Sequence, residues 1–172
     1  MSKEQYSSIY EGIGKIIFKT SSVHFLAAQI ISYYYSGNND NRYRISLIHD
    51  ILTNEHTSLA FIANSLKRVL LNLGFDKKPI EKIKSQVLQI SNLRNRFAHE
   101  VLLYNNDTHY FSDRNHIPWR GEGLKFEDEF KNFENLYNEI TNNLNKIIKN
   151  KNIKIIDQIP NGYEPPKQAF DS

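Results

Sequence analysis

The sequence predicts an all-α fold, an up-and-down bundle of about five helices with a loop or small hairpin between the fourth and the fifth. Three observations lead to this prediction. The 172 residues include only 7 Gly and 5 Pro, so helix-breaking residues are scarce. Apolar residues recur at three- and four-residue steps along most of the chain, which is the period of an amphipathic helix. The length suits one domain with its own core, since roughly 100–200 residues per domain is usual.

The elements follow from this periodicity and from the residues that interrupt it. The apolar residues indicate helices at about residues 3–35, 42–52, 53–73, 76–103 and 127–149. Thr53 or Asn54 is the expected start of the third helix, and Gly74 after its last turn is expected to form a left-handed C-cap. Pro79 fits the first turn of the fourth helix, because a helix leaves that N–H unbonded.

The chain on either side of the fifth helix has a different composition. Residues 104–126 are rich in Asn, Asp, Gly and Pro, and the runs 108–111 and 124–126 are candidate strands of a small hairpin. The last part of the chain contains three Pro and a Gly and has no helical periodicity. We therefore expect one helical domain at residues 1–150 and an irregular C-terminal tail at 151–172.

The composition excludes several classes of function. The chain has no Cys, which excludes disulfides, a thiolate nucleophile and a cysteine-ligated zinc site. No apolar stretch is long enough for a signal peptide or a membrane span, so we expect a cytoplasmic protein without a membrane partner. The pair His109 and His116 lies seven residues apart in the loop region, without a set of carboxylate ligands to complete a metal site. We therefore expect neither a metal site nor a cofactor.

The net charge of +3 hides an uneven distribution along the chain. Residues 67–100 carry eight Lys or Arg against three acidic residues, whereas residues 122–139 carry six acidic residues against two Lys. Solvated helix faces explain such segments in most proteins. The alternative is a groove for a polyanion near residues 67–100. In that interpretation the contacts are made by Lys67, Arg68 and Arg96.

The hexad Arg94-Asn-Arg-Phe-Ala-His99 is the strongest candidate for chemistry. Arg94 occupies the position between Ile90 and Phe97 in an apolar row. A guanidinium in an apolar seam needs a partner, which is a carboxylate, a phosphate or a facing protomer. Asn95 and His99 are four residues apart and share one helix face. Arg94 is suited to hold a phosphate that Asn95 orients, while His99 deprotonates a ribose 2′-hydroxyl. Attack of that hydroxyl on phosphorus leaves a 2′,3′-cyclic phosphate and needs no metal.

The spacing of Arg and His alone is a weak signal. The composition predicts roughly 0.24 chance matches to Arg-x4-His, and Arg44 and His49 form a second match. Requiring Asn directly after the Arg lowers this expectation to roughly 0.03, which favours the hexad. His24, within the first helix, is interpreted as a hydrogen-bonded core histidine.

The hexad resembles the Arg-Asn-x-x-x-His form of the motif of HEPN domains. These are small helical bundles, often RNases of toxin–antitoxin, abortive-infection and CRISPR-associated systems. The resemblance covers six residues closely, and the helical layout extends it loosely over residues 6–150. It implies a homodimer that brings two motifs into one cleft and cleaves RNA without a metal, with Arg94 and His99 as the catalytic pair and Asn95 as a polar aid. It also implies an antitoxin or another defence-system protein as a partner.

Two positions depart from the family pattern. HEPN toxins with a nucleotidyltransferase antitoxin typically have a modified Tyr two residues after the His, where this chain has Val101, and Tyr104 is the nearest tyrosine. Some members place an acidic residue on an earlier helix, and the sequence does not select between Asp50 and Glu55. Many HEPN-like proteins are non-catalytic. A helical dimerisation module, or one that binds a ligand or protein, is therefore the alternative function.

Overall fold

In a computed structural model, the residues that the structure describes form the predicted all-α bundle of five helices, with a β-hairpin between the fourth and the fifth. The structure describes residues 3–38, 42–53, 57–100, 102–105, 108–111 and 124–156. The helices are α1 (Lys3–Ser36), α2 (Arg42–Ser46), α3 (Leu59–Asn72), α4 (Lys77–His99) and α5 (Phe126–Asn150). The strands are β1 (Leu102–Asn105) and β2 (Thr108–Phe111). A π-helical segment, Leu47–Leu52, continues directly from α2.

The long helix α1 is the centre of the bundle, since it packs against α3, α4 and α5. Most of its predicted apolar row is buried, from Ile9 to Ile30, although Tyr34 at the end of the row is exposed. The other helices bury the apolar side chains that close the core, among them Ile62, Leu66, Leu70, Val87, Ile90, Phe133, Ile140 and Leu144. Burial of these side chains is the main term that stabilises the fold. None of the helices described is long and apolar enough to cross a membrane.

Helix α3 begins later than predicted. The backbone of Ser58 is extended, and its hydroxyl accepts a hydrogen bond from the N–H of Phe61 at 3.2 Å, which caps the helix. Thr53 instead follows the π-helical segment, and Asn54 lies outside the described residues. The predicted left-handed C-cap is confirmed, because Gly74 has a φ of +83°.

Helix α4 ends at His99, so the prediction that it continues to about Leu103 is wrong. Glu100 has φ −83° and ψ 143°, and this extended backbone leads the chain into β1. Residues 102–105 pair with residues 108–111 in an antiparallel hairpin. Cross-strand pairing determines the structure here, where helical periodicity alone favoured a longer helix.

The hairpin packs on the bundle through aromatic side chains. Phe111 is buried and meets Phe97 of α4 edge to face, with ring centroids 4.8 Å apart. The predicted strand at 108–111 is confirmed, but its partner is β1. The run 124–126 contributes only an isolated bridge between Tyr110 and Lys125 before α5 begins at Phe126.

The first six residues after α5 form no helix but are held on the bundle. Ile153 and Ile156 are buried. The side-chain amide of Gln29 bonds to both backbone groups of Ile156, at 2.8 and 3.1 Å. The described part of the predicted tail is therefore packed against the helical domain, and residues 157–172 lie outside the described part of the chain.

The acidic residues of α5 meet basic residues of the other helices. Lys82 of α4 pairs with Glu139 at 2.5 Å, Lys19 of α1 pairs with Glu134, and Arg96 pairs with Glu129. The charges that are segregated along the sequence thus pair in space. The Lys82–Glu139 pair is exposed, and exposed pairs contribute little to stability.

Candidate functional site

A cleft of about 410 Å³ lies between α1, α4 and the N-terminal end of α3. Many of its lining residues are polar. Six of them carry a hydroxyl group: Thr20, Ser21, Thr53, Thr57, Ser58 and Ser91. Arg94, Asn95 and His24 also contribute to the lining, and no carboxylate does so among the described residues. The cleft therefore combines one guanidinium with many hydrogen-bonding groups.

Helix α4 presents Arg94 and Asn95 to this cleft. The apolar seam of α4 passes through Leu93, which is 7% exposed, so Arg94 lies at the edge of the seam and not within it as predicted. Arg94 is half-buried, and its Nη1 donates to the Oδ1 of Asn95 at 3.1 Å. No carboxylate in the described part of the chain pairs with Arg94. Its charge is therefore available to an anionic ligand.

His99 is separate from the cleft. It is the last residue of α4, is exposed, and does not contribute to the cleft lining. One helical turn separates it from Asn95, about 6 Å along the axis. The structure thus brings together two of the three predicted catalytic residues, and places the third one turn further along the same helix.

The three predicted polyanion contacts lie outside the cleft lining. Arg96 pairs with Glu129 of α5. Lys67 pairs with Glu81 at 2.5 Å, and its hydrogen bond lowers the pKa of the Glu81 carboxyl. Arg68 is exposed on α3. Their contact with RNA remains a prediction.

His24 matches the hydrogen-bonded core histidine that the sequence predicted only in part, since its ring has one hydrogen bond, with the backbone of Leu52. It is half-buried in the cleft lining, and its Nε2 is buried without a hydrogen-bond partner. Burial lowers the pKa of His24 below its ordinary value, and this effect outweighs the carbonyl of Leu52, which raises it. The ring is therefore neutral at pH 7, with one N–H and one acceptor nitrogen.

Thr20 is the second polar residue of this wall that sequence reasoning missed. It precedes His24 by one helical turn, so the two share a face of α1. Thr20 is only 5% exposed, and its Oγ1 has no hydrogen-bond partner. Buried polar atoms without partners are uncommon in folded proteins and call for an explanation. The signal in the sequence was a polar pair four residues apart inside an apolar row.

The remaining candidates from the sequence lie elsewhere. Asp50 accepts a hydrogen bond from the hydroxyl of Ser46 at 2.5 Å and does not line the cleft. Glu55, Val101 and His116 are outside the described residues. Within the described ranges there is no group of three His, Asp or Glu side chains able to hold a metal ion.

The second Arg-x4-His match has a structural explanation. Arg44 is fully buried and donates to the carbonyl oxygen of Lys154 at 2.7 Å, while its Nε is 3.4 Å from the Ser32 hydroxyl oxygen. Its guanidinium thus joins α1, α2 and the segment after α5. His49 is half-buried and lies outside the cleft lining. This pair is therefore a useful control for the hexad.

No known protein family, curated protein or solved structure matches this chain. The resemblance to HEPN domains consequently rests on the hexad and on the helical layout. A function has to be inferred from the chemistry of the cleft and of the residues next to it.

Proposed function

We propose that the protein is a metal-independent endoribonuclease of the HEPN type, a homodimer that cleaves RNA through Arg94, Asn95 and His99. One observation carries this proposal. The partner of the Arg94 guanidinium in the described structure is the neutral amide of Asn95, and not a carboxylate. Such a group binds a phosphate without first breaking an ion pair, and the guanidinium geometry matches phosphate oxygens.

The proposed reaction assigns one task to each residue. Arg94 and the Nδ2 of Asn95 hold the scissile phosphate, and His99 takes the proton of the adjacent ribose 2′-hydroxyl. The 2′-oxygen attacks phosphorus, the bond from phosphorus to the 5′-oxygen breaks, and that oxygen leaves with a proton from solvent. The products are a 2′,3′-cyclic phosphate and a 5′-hydroxyl, and no metal takes part.

A homodimer is supported by the exposed face of α1. Tyr10, Ile17 and Phe18 are 68%, 41% and 74% exposed. They share one side of the helix because steps of seven and eight residues return to the same face. Exposed apolar side chains grouped in this way are typical of protein interfaces. Ile17 also lines the cleft, so a partner bound here lies next to Arg94.

Cleavage of single-stranded RNA in the presence of EDTA tests the proposal. His99→Ala is expected to lower the rate by about 100-fold or more, because a general base contributes at least that factor. Arg94→Ala is expected to lower it by about 100-fold, because it removes the cation that stabilises charge on the phosphate. Mass spectrometry of the wild-type products is expected to show a 2′,3′-cyclic phosphate. His49→Ala changes the other Arg-x4-His pair and should keep full activity. Undiminished cleavage by a folded His99→Ala variant contradicts the mechanism.

The alternative is a non-catalytic helical module for dimerisation or for binding a ligand or protein. The position of His99 outside the cleft lining favours it. Light scattering combined with the cleavage assay separates the two functions. A stable dimer that Phe18→Glu converts to a monomer, with no RNA cleavage by the wild-type protein, supports the alternative.

The proposed role as a toxin or antiviral-defence effector is tested in cells. RNA cleavage by a toxin stops growth, so expression of the wild-type chain is expected to arrest growth and His99→Ala to restore it. Co-purification from the host of origin then tests for an antitoxin or another defence-system protein. Normal growth at equal expression of both proteins contradicts the toxin role.

A further inference from the structure

We infer that His24 and Thr20 form a sugar subsite of the cleft, in which the acceptor nitrogen of His24 receives a hydrogen bond from a ribose 2′-hydroxyl and selects RNA over DNA. The inference rests on the proposed function, because it takes the phosphate at Arg94 to belong to a nucleic acid. His24 is here a specificity residue and takes no part in bond breaking.

The surroundings of His24 make one of its ring nitrogens an acceptor. The Leu52 carbonyl offers only lone pairs, so it favours an N–H on the nitrogen that faces it. Burial keeps the ring neutral near pH 7, and a neutral imidazole has only one N–H. The other nitrogen therefore has a lone pair for a ligand donor, and the described structure provides no donor to His24.

Thr20 independently indicates a ligand at the same wall. Thr20 lines the cleft and is only 5% exposed, and its buried Oγ1 has no hydrogen-bond partner. A hydroxyl both donates and accepts. It can therefore donate to the same 2′-oxygen whose proton is directed at His24. Two adjacent polar groups of α1 would then be satisfied by one ligand hydroxyl.

The chemistry of nucleic acids identifies that hydroxyl. Phosphate and ring oxygens of the backbone only accept hydrogen bonds, whereas the 2′-hydroxyl also donates, and DNA lacks it. Arg94 of the same cleft attracts a phosphate, while an acceptor nitrogen repels phosphate oxygens. An acceptor close to a phosphate-binding cation thus fits the ribose joined to that phosphate through its 5′-oxygen, whose 2′-hydroxyl is not the one that His99 deprotonates. A deoxyribose would leave both His24 and Thr20 unpaired, which weakens binding.

Binding in a cleavage-deficient background tests the inference. With His99→Ala, the dissociation constants of a single-stranded RNA and of the DNA of the same sequence are compared. We expect RNA to bind about tenfold more tightly, the usual effect of one unsatisfied buried group. His24→Leu should reduce this ratio to near one, and His24→Gln, which keeps an acceptor oxygen, should restore part of it. His49→Leu, the same change outside the cleft lining, should leave the ratio unchanged.

The outcomes separate the inference from the proposed function. If the His99→Ala protein binds neither strand, the proposed function fails and the subsite fails with it. If RNA binds but His24→Leu keeps the preference over DNA, the subsite is wrong and the proposed function stands. If His24→Leu unfolds the protein, Thr20→Val removes a hydroxyl at constant shape. Loss of the RNA preference in that variant supports the subsite, and its retention overturns it.

Discussion

The guanidinium of Arg44 donates a hydrogen bond to the backbone carbonyl oxygen of Lys154, 2.7 Å away and 110 residues later in the chain. Arg44 is fully buried, and its Nη2 also lies 3.4 Å from the side-chain oxygen of Gln29. Gln29 in turn bonds to both backbone groups of Ile156. A polar network inside the bundle therefore attaches the segment after α5 to α1 and α2.

Replacement of Arg44 by Met should destabilise the protein strongly. Met keeps an unbranched side chain but removes the guanidinium that donates to the carbonyl of Lys154 and to the side-chain oxygen of Gln29. We expect the free energy of unfolding to fall by about 3 kcal/mol, as measured by urea denaturation. Arg68→Met, the same change at an exposed residue of α3, should alter it by less than about 0.5 kcal/mol. Equal effects of the two variants would show that the network contributes no stability.

Two arginines of the hexad should respond differently to truncation. Arg96→Ala removes the ion pair with Glu129 and should lower the free energy of unfolding by up to about 1 kcal/mol. Arg94→Ala removes no ion pair in the described structure and should leave stability unchanged, while it lowers RNA cleavage. Urea denaturation of both variants checks this prediction. An equal or larger destabilisation by Arg94→Ala would indicate a structural partner for Arg94 and weaken the case for phosphate binding.

The lowered pKa of His24 predicts a loss of stability in acid. The folded-state pKa lies below the ordinary value of about 6.5, so the unfolded chain binds more protons as the pH falls through that value. The contribution of His24 to the free energy of unfolding should therefore be fully present above about pH 6.5 and should decline as the pH falls below that value.

Urea denaturation between pH 5 and 7.5 checks this pH dependence. His24→Leu should remove the decline of the free energy of unfolding below about pH 6.5. His49→Leu should keep this decline. NMR titration of His24 in the folded protein gives an independent measurement, and a pKa at or above the ordinary value rules out the prediction.

Truncation of Phe111 should loosen the hairpin without unfolding the helices. Its ring packs against Phe97 and lies 6.1 Å from the ring of Phe126, between centroids. Phe111→Ala should lower the free energy of unfolding by about 3 kcal/mol, the usual effect of removing a buried ring. Helical circular dichroism should persist, while the amide protons of β1 and β2 exchange faster. Tyr110→Ala, at the half-buried neighbour, should have a smaller effect.

Helical periodicity predicted the long elements well. The ends of α1 and α5 lie within one residue of the prediction, because each helix has an apolar stripe over many turns. The start of α3 and the end of α4 were wrong. The start of α3 depends on the cap at Ser58, and the end of α4 depends on the strand pairing that begins at Leu102. Hydrophobic periodicity predicts neither interaction.

The site could be predicted only in part from the sequence. The hexad contains Arg94 and Asn95, which do line one cleft. His24 was interpreted as a core histidine, and Thr20 lies in the apolar row of α1, so periodicity gave no sign of a ligand at either residue. Their side chains have polar atoms without partners because of how α1, α3 and α4 surround them and where the backbone of Leu52 lies. Contacts of that kind follow from the tertiary fold.

The π-helical segment, Leu47–Leu52, has a consequence for the chemistry of the cleft. The N–H of Thr53 bonds to the carbonyl of Ile48, five residues earlier, so this turn contains one surplus residue compared with an α-helix. Deletion of one residue here would tighten the turn and withdraw the Leu52 carbonyl from the imidazole of His24. The ring proton would then be free to move to either nitrogen. The π-helical segment therefore determines which ring nitrogen of His24 carries the proton.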